Sequence, residues 1–240
     1  DLVDEDRICT VGVNMGFGGL IYGASEQKKQ ADVDGKPIAW VTAARCGDER
    51  LTEIVPKAAK HGNYVWLLDA LGTDPAQVVP LAKANPQSAF GLLAEPATLT
   101  EECVDALAAC RNLVVMPLLQ TPELTTEACR AARRLKAHKM FYALTVLVED
   151  ATADEVMQDD WLESIAQETL FCMCARKPGM SDETSHKLRR SIVDGRMETG
   201  KPVLLLDWDG DVKYLHERIS EHMTFGSALP EGYAFPLQLG

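Results

Sequence analysis

The sequence predicts an α/β fold: a (β/α) barrel of the TIM type, complete or partial, with a Gly-rich N-terminal extension. Three observations carry this. Seven short apolar runs recur along the chain, polar amphipathic segments separate them, and successive runs start roughly 25 to 30 residues apart, the spacing of strand–helix units. An open doubly wound sheet has the same spacing, and the barrel is the favoured form.

The seven runs are "PIAWVTA", "YVWLLDA", "AFGLLAE", "LVVMPLLQ", "FYALTVLVE", "LFCMCAR" and "PVLLLDW". Each is almost uninterruptedly apolar, as a parallel strand covered on both faces must be. The helices between them have start signals. Thr98-Leu-Thr-Glu101 and Thr152-Ala-Asp-Glu155 have capping-box spacing, and Ser181 caps a helix whose apolar side is Leu188, Ile192 and Met197. "KHGN", "KANP" and "METGKP" supply the stops.

Residues 1–36 differ in character and are expected to form an extension or hairpin, with residues 37–240 as one barrel-like domain. Gly16, Gly18, Gly19 and Gly23 lie among aromatic and β-branched residues, and "DVDGK" reads as a turn. Neither a P-loop Lys-Ser/Thr nor G-x-G-x-x-G spacing accompanies these glycines, so a phosphate cradle is not expected. The tail "MTFGSALPEGYAFPLQLG" lacks helical period and reads as an irregular strand, a cover for the barrel mouth or a docking segment.

The chain has 240 residues, 46% of them hydrophobic, enough for one substantial core. Its 24 basic and 36 acidic residues leave a net charge of −12. That charge argues against nucleic acid and against anionic membrane surfaces. The basic segment "ACRAARRLKAHKM", with Arg130, Arg133, Arg134, Lys136 and Lys139, reads as a solvated helix face. Seven scattered cysteines without disulfide-framework spacing fit a reducing compartment. The acidic start "DLVDEDRIC" is unlike a signal peptide, and no apolar run reaches about 20 residues. A cytoplasmic protein is therefore expected.

In a barrel, functional side chains gather at the C-terminal ends of the strands. Those ends offer Thr42, Arg45 and Cys46, then Asp69, Glu95, Gln120, Glu149 and Asp150, Arg176 and Lys177, and lastly Asp207 and Asp209. The lining is acidic and lacks histidine. The five histidines sit beside charged residues without ligand-pair spacing, and no G-x-S-x-G elbow is present. "LLLDWDGDV" resembles the nucleophile motif of haloacid-dehalogenase-type phosphotransferases, but it comes too near the end for the downstream motifs, and a turn after a buried strand explains it. Trp40, Trp66 and Trp208 read as core residues and Trp161 as a helix anchor.

The order of features resembles the radical S-adenosylmethionine superfamily. "IAWVTAARC" is similar to the first strand of those enzymes, which ends at the first cysteine of a C-x-x-x-C-x-x-C motif. "ALGTDP" stands where a Gly-Gly-Glu-Pro motif would meet S-adenosylmethionine, and Gly72 alone survives from it. "AEPATLTEECVDALAACRNLVVMPLLQTPE" and "KMFYALTVLVED" resemble the third to fifth strands with their intervening helix, and residues 175–211 resemble a late strand–helix–strand unit. After Cys46 the chain reads "GDERLT", so the second and third cluster cysteines are missing. One thiolate cannot hold a four-iron cluster open to S-adenosylmethionine. Cys172 and Cys174 share one side of a strand, and core packing is the expected role for them and for Cys103 and Cys110.

The resemblance implies a cluster-free member, a non-catalytic binding or partner subunit within a maturation or biosynthetic system. Its ligand would be a protein, a peptide or a small molecule, held by Arg45, Cys46, Gly72, Gln120 and Arg176. No metal site and no resident cofactor are expected; S-adenosylmethionine and Mg²⁺ are the two left open. The alternative is a small-molecule enzyme using Asp69, Glu95, Asp207 and Asp209 as acid/base groups or Mg²⁺ ligands.

Overall fold

The computed structural model describes residues 3–34, 40–198, 202–211 and 214. The expected tail and the end of the "DVDGK" turn lie outside these residues. All seven apolar runs form strands: β1 (Val41–Arg45), β2 (Val65–Asp69), β3 (Ala89–Ala94), β4 (Leu113–Leu119), β5 (Leu144–Val148), β6 (Phe171–Arg176) and β7 (Leu204–Asp207). They make one sheet in the order β1 to β7 without reversal, and every ladder is parallel. β1 and β7 are the outer strands of the described sheet.

Six helices connect them: α3 (Leu51–Lys60), α4 (Val78–Ala84), α5 (Glu101–Ala108), α6 (Thr126–Ala137), α7 (Asp159–Glu168) and α8 (Asp182–Met197). All six pack on the same face. Val55, Leu81, Leu107, Leu135, Ile165 and Ile192 join Trp66, Phe90, Val115, Val146 and Cys174 in one continuous core. Right-handed crossovers between neighbours in an unreversed order place every helix on one side. The opposite face gathers residues of the other strand parity, including Val65, Leu67, Leu93, Met116, Leu118 and Leu147, as the two-residue period of a strand requires.

Two helix starts differ from expectation. α5 is capped by Thr100, whose side chain accepts the Cys103 N–H, rather than by Thr98. Thr152 accepts the Glu149 N–H instead of opening a helix, and α7 begins at Asp159 after a short 3₁₀ turn. Ser181 caps α8 as expected. Met197, however, is 83% exposed, and Arg189 and Arg196 take its place toward the sheet.

Among the described residues, the N-terminal segment forms no hairpin. From Glu5 to Asp34 it is helical, as α1 (Glu5–Gly12), a π-helical stretch (Val13–Gly23) and α2 (Ala24–Asp34). Tertiary hydrogen bonds explain it. The Asp4 N–H donates to the Lys139 carbonyl (3.0 Å), and the Arg7 guanidinium to Cys110 and Ala108 (2.6 and 2.7 Å). The Asn14 amide donates to Pro86 and Ser88 (2.8 and 3.0 Å), and Gln27 to Gly62 (3.0 Å). These carbonyls precede β5, β4, β3 and β2 in turn, so the helix lies across the N-terminal ends of four strands and satisfies loop groups that would otherwise be orphaned. Glycine is required where it crosses β2: a Cβ on Gly23 would sit 2.2 Å from the Gly62 carbonyl oxygen, and Gly62 has φ +87°. Glu5–Gln30 is also the one described helix long and apolar enough to cross a membrane. Its length exceeds the expectation that no apolar run reaches about 20 residues.

Candidate functional site at the C-terminal ends of the strands

Strand parity sorts the expected site residues into two groups. Arg45 and Asp69 are register partners on β1 and β2, sharing the parity of Val41, Val65 and Leu67 on the face opposite α3–α8, where Met15 and Leu20 of the N-terminal helix also pack. Glu95 and Gln120 follow β3 and β4 in the parity of Leu93 and Leu118, and both are exposed. Glu149 and Lys177, one residue past β5 and β6, form an ion pair at 3.2 Å. Asp69 Oδ1 accepts the Leu71 N–H at 2.9 Å, which fixes the carboxylate at the rim. Gly72, with φ +72°, turns the chain just beyond it and is exposed. The rim of this face is thus polar and of mixed charge, above an apolar floor that includes Leu67, Met116 and Leu147.

The second group lies on the helix side. Cys46 is 4% exposed in the sheet–helix core beneath α3. Burial, reinforced by the nearby Asp74 and Asp69 carboxylates, pushes its thiol up to about 11. A thiol so placed stays protonated and is a poor ligand or nucleophile at neutral pH. Cys172 and Cys174 are fully enclosed in the same core, and their mutual hydrogen bond, with burial, raises the Cys172 thiol well above its ordinary value. The residues around Cys46 therefore do not fit an iron–sulfur cluster.

Arg176 and Asp207 also lie on the helix side. Asp207 is completely buried and accepts from Arg176 Nη2 at 2.8 Å and from Arg189 Nη1 at 3.4 Å. Its other oxygen accepts the Gly210 N–H, as an N-cap does, and residues 208–211 are helical rather than a turn. Asp211 receives Arg189 (2.5 Å) and both terminal nitrogens of Arg196 (3.0 and 2.5 Å). Burial alone would raise the Asp211 carboxyl, but these guanidinium hydrogen bonds outweigh it and hold the group below its usual value. For Asp209 burial prevails over the Arg176 N–H that it accepts, and its carboxyl is raised. A carboxylate sealed by two arginines is a structural clasp, closed to a phosphate or a metal.

Glu149 and Lys177 were expected at the rim but not as a pair, and the arginines of α8 were not expected at all. Arg189 and Arg196, seven residues apart on α8, were a legible signal, since that spacing returns to one helix face. A further unexpected cluster lies between α5 and the C-terminal end of α6, where His138 Nε2 is 2.7 Å from Asp105 Oδ1 and 3.8 Å from Glu101 Oε1. Elsewhere, a cleft of about 620 Å³ between α7, α8 and β7 is lined by Leu162, Phe171, Ile192 and Leu205, at the opposite end of the strands from the rim. The basic face of α6 is tied locally: Arg133 pairs with Glu168 at 2.9 Å, and Arg134 donates to Leu99 at 3.0 Å. Trp161 anchors α7 through Pro122 (2.8 Å), and Trp40 and Trp66 are buried. No protein-family model and no curated protein matches the chain.

Proposed function

We propose that the chain is a (β/α) barrel protein, complete or partial, resembling radical S-adenosylmethionine enzymes without their iron–sulfur cluster. It serves as a non-catalytic binding or partner subunit in a maturation or biosynthetic system of the cytoplasm. The observation that carries this reading is the division of the strand-end groups between two faces. Arg45, Asp69, Glu95 and Gln120 share the polar rim of the face opposite α3–α8, whereas Cys46, Arg176 and Asp207 lie on the side of those helices. An unreversed strand order, with no switch point of the kind that marks doubly wound sheets, supports the barrel. A mixed-charge rim above an apolar floor suits a peptide, a protein segment or a small polar ligand.

The enzyme alternative retains Asp69 and Glu95, which follow adjacent strands on the rim and could hold Mg²⁺ between them. It loses Asp207, so the four carboxylates do not converge. The binding reading is tested by recovering the tagged chain from its own host. A stoichiometric protein or peptide, lost when Arg45 and Gln120 are both changed to Glu, is the expected result. A bare chain with Mg²⁺-dependent turnover would contradict it.

A further inference from the structure

The N-terminal helix has a second face. From Ile8 to Ser25 no residue is charged, and Ile8, Val13, Phe17, Ile21 and Tyr22 are 44 to 62% exposed. Its glycines divide by role. Gly19 and Gly23 bring the helix onto β2 and its preceding loop, where a Cβ would lie 2.9 Å from Val65 Cγ2 and 2.2 Å from the Gly62 oxygen. Gly12 and Gly16 have nothing within 4 Å of a Cβ. The outer face is thus a row of recesses, Gly12 and Gly16, beside a row of projections, Val13, Phe17 and Ile21, each row stepping by four residues.

We infer that this face is a homodimer interface, formed by a second copy of the chain lying antiparallel across it. A twofold contact needs projections and recesses on the same patch, and this patch has both. Placing the dyad between Gly16 and Phe17 sets Gly16 against Phe17 and Gly12 against Ile21 of the other copy. The same register sets Asp4 against Lys29, which also pairs with Glu26 of its own helix at 2.5 Å, and Glu5 against Lys28, so acidic first turns meet the two lysines of α2. A parallel pair would stack like charges instead. A lipid surface is the poorer match. The flanks are acidic, the net charge is −12, and Arg7, Asn14 and Gln27 hold the opposite side of the helix to the sheet loops. The exposed apolar area is roughly 500 Å² per copy, on the order of 1,000 Å² in a pair, at the lower edge of specific interfaces and suited to a micromolar dimer. This interface is independent of the strand-end rim, so either reading can fail alone.

Sedimentation equilibrium of the full chain from about 1 to 100 μM should show a monomer–dimer equilibrium in the micromolar range. Phe17→Glu and Gly16→Leu each alter an exposed or open position and should weaken dimerisation at least about tenfold with unchanged circular dichroism. Carbodiimide coupling should yield a Glu5–Lys28 linked peptide in the dimer. Those residues are about 34 Å apart along one helix, so this link forms only between chains. A monomer throughout the range would overturn the inference. So would a dimer insensitive to both variants, a dimer without the Glu5–Lys28 link, or flotation with neutral phosphatidylcholine vesicles that Phe17→Glu abolishes.

Discussion

Cys46 and Asp69 end neighbouring strands, joined by a 2.8 Å hydrogen bond from the Cys46 N–H to the Asp69 carbonyl, yet their side chains leave the sheet on opposite faces. Asp69 shares the open rim with Arg45, while Cys46 enters the hydrocarbon layer under α3. Pulse alkylation with iodoacetamide at pH 8 should therefore label exposed Cys9 first and leave Cys46 unmodified in the native state. Cys46 should react once denaturant is added. Rapid native labelling of Cys46 would contradict the buried, protonated thiol.

Asp207 holds β6, β7 and α8 together through Arg176 and Arg189. Replacing it with Asn removes the charge that both arginines face, and should cost about 3 kcal/mol or more, lowering Tm by about 6 to 12 °C. Differential scanning calorimetry checks this. Asp211 adds a pH dependence. Its folded carboxyl is held below the unfolded value, so its stabilisation is full above the unfolded value and is lost as pH falls through the lower folded one. Urea melts of Asp211→Asn between pH 7 and pH 3 should show a shallower acid loss than the parent chain.

His138 behaves in the opposite sense. Its bond to the Arg134 carbonyl, and then Asp105, favour the imidazolium and raise its pKa. The stabilisation is complete below the unfolded value and disappears as pH rises through the folded one. An NMR titration should place the His138 midpoint above that of an ordinary histidine, and Asp105→Asn should lower it part of the way. An unchanged midpoint in Asp105→Asn would show that the contact carries no charge interaction.

Three glycines should respond in opposite directions to alanine. Gly23→Ala and Gly62→Ala force a methyl against backbone oxygen at 2.2 Å and should each cost about 2 kcal/mol or more, releasing the N-terminal helix to limited proteolysis. Gly195 lies inside α8 with nothing within 4 Å of a Cβ. Gly195→Ala should raise stability by about 0.5 to 1 kcal/mol. Equal effects at the three positions would contradict the close packing assigned to the helix crossing.

The strands were legible because residues covered on both faces leave almost continuous apolar runs, and all seven runs pair in sequence order. The N-terminal helix was not. Its glycines locally resemble turn signals, while the groups that hold it helical, Arg7, Asn14 and Gln27, find their partners 35 to 103 residues away. At the site, grouping residues by strand end pooled two faces. The two-residue period already separates Arg45 from Cys46, and applied to every strand end it would have set Arg176 and Asp207 apart from Asp69. The pairing of Arg189 with Asp207 was less accessible, because it joins two elements across 18 residues.

The most direct test of the cluster-free account is anaerobic reconstitution of the purified chain with iron and sulfide, followed by iron analysis, absorbance and incubation with S-adenosylmethionine under reducing conditions. A cluster-free chain should give no stoichiometric iron, no iron–sulfur absorbance and no reductive cleavage of S-adenosylmethionine. One four-iron cluster per chain, with cleavage that Cys46→Ala abolishes, would contradict it.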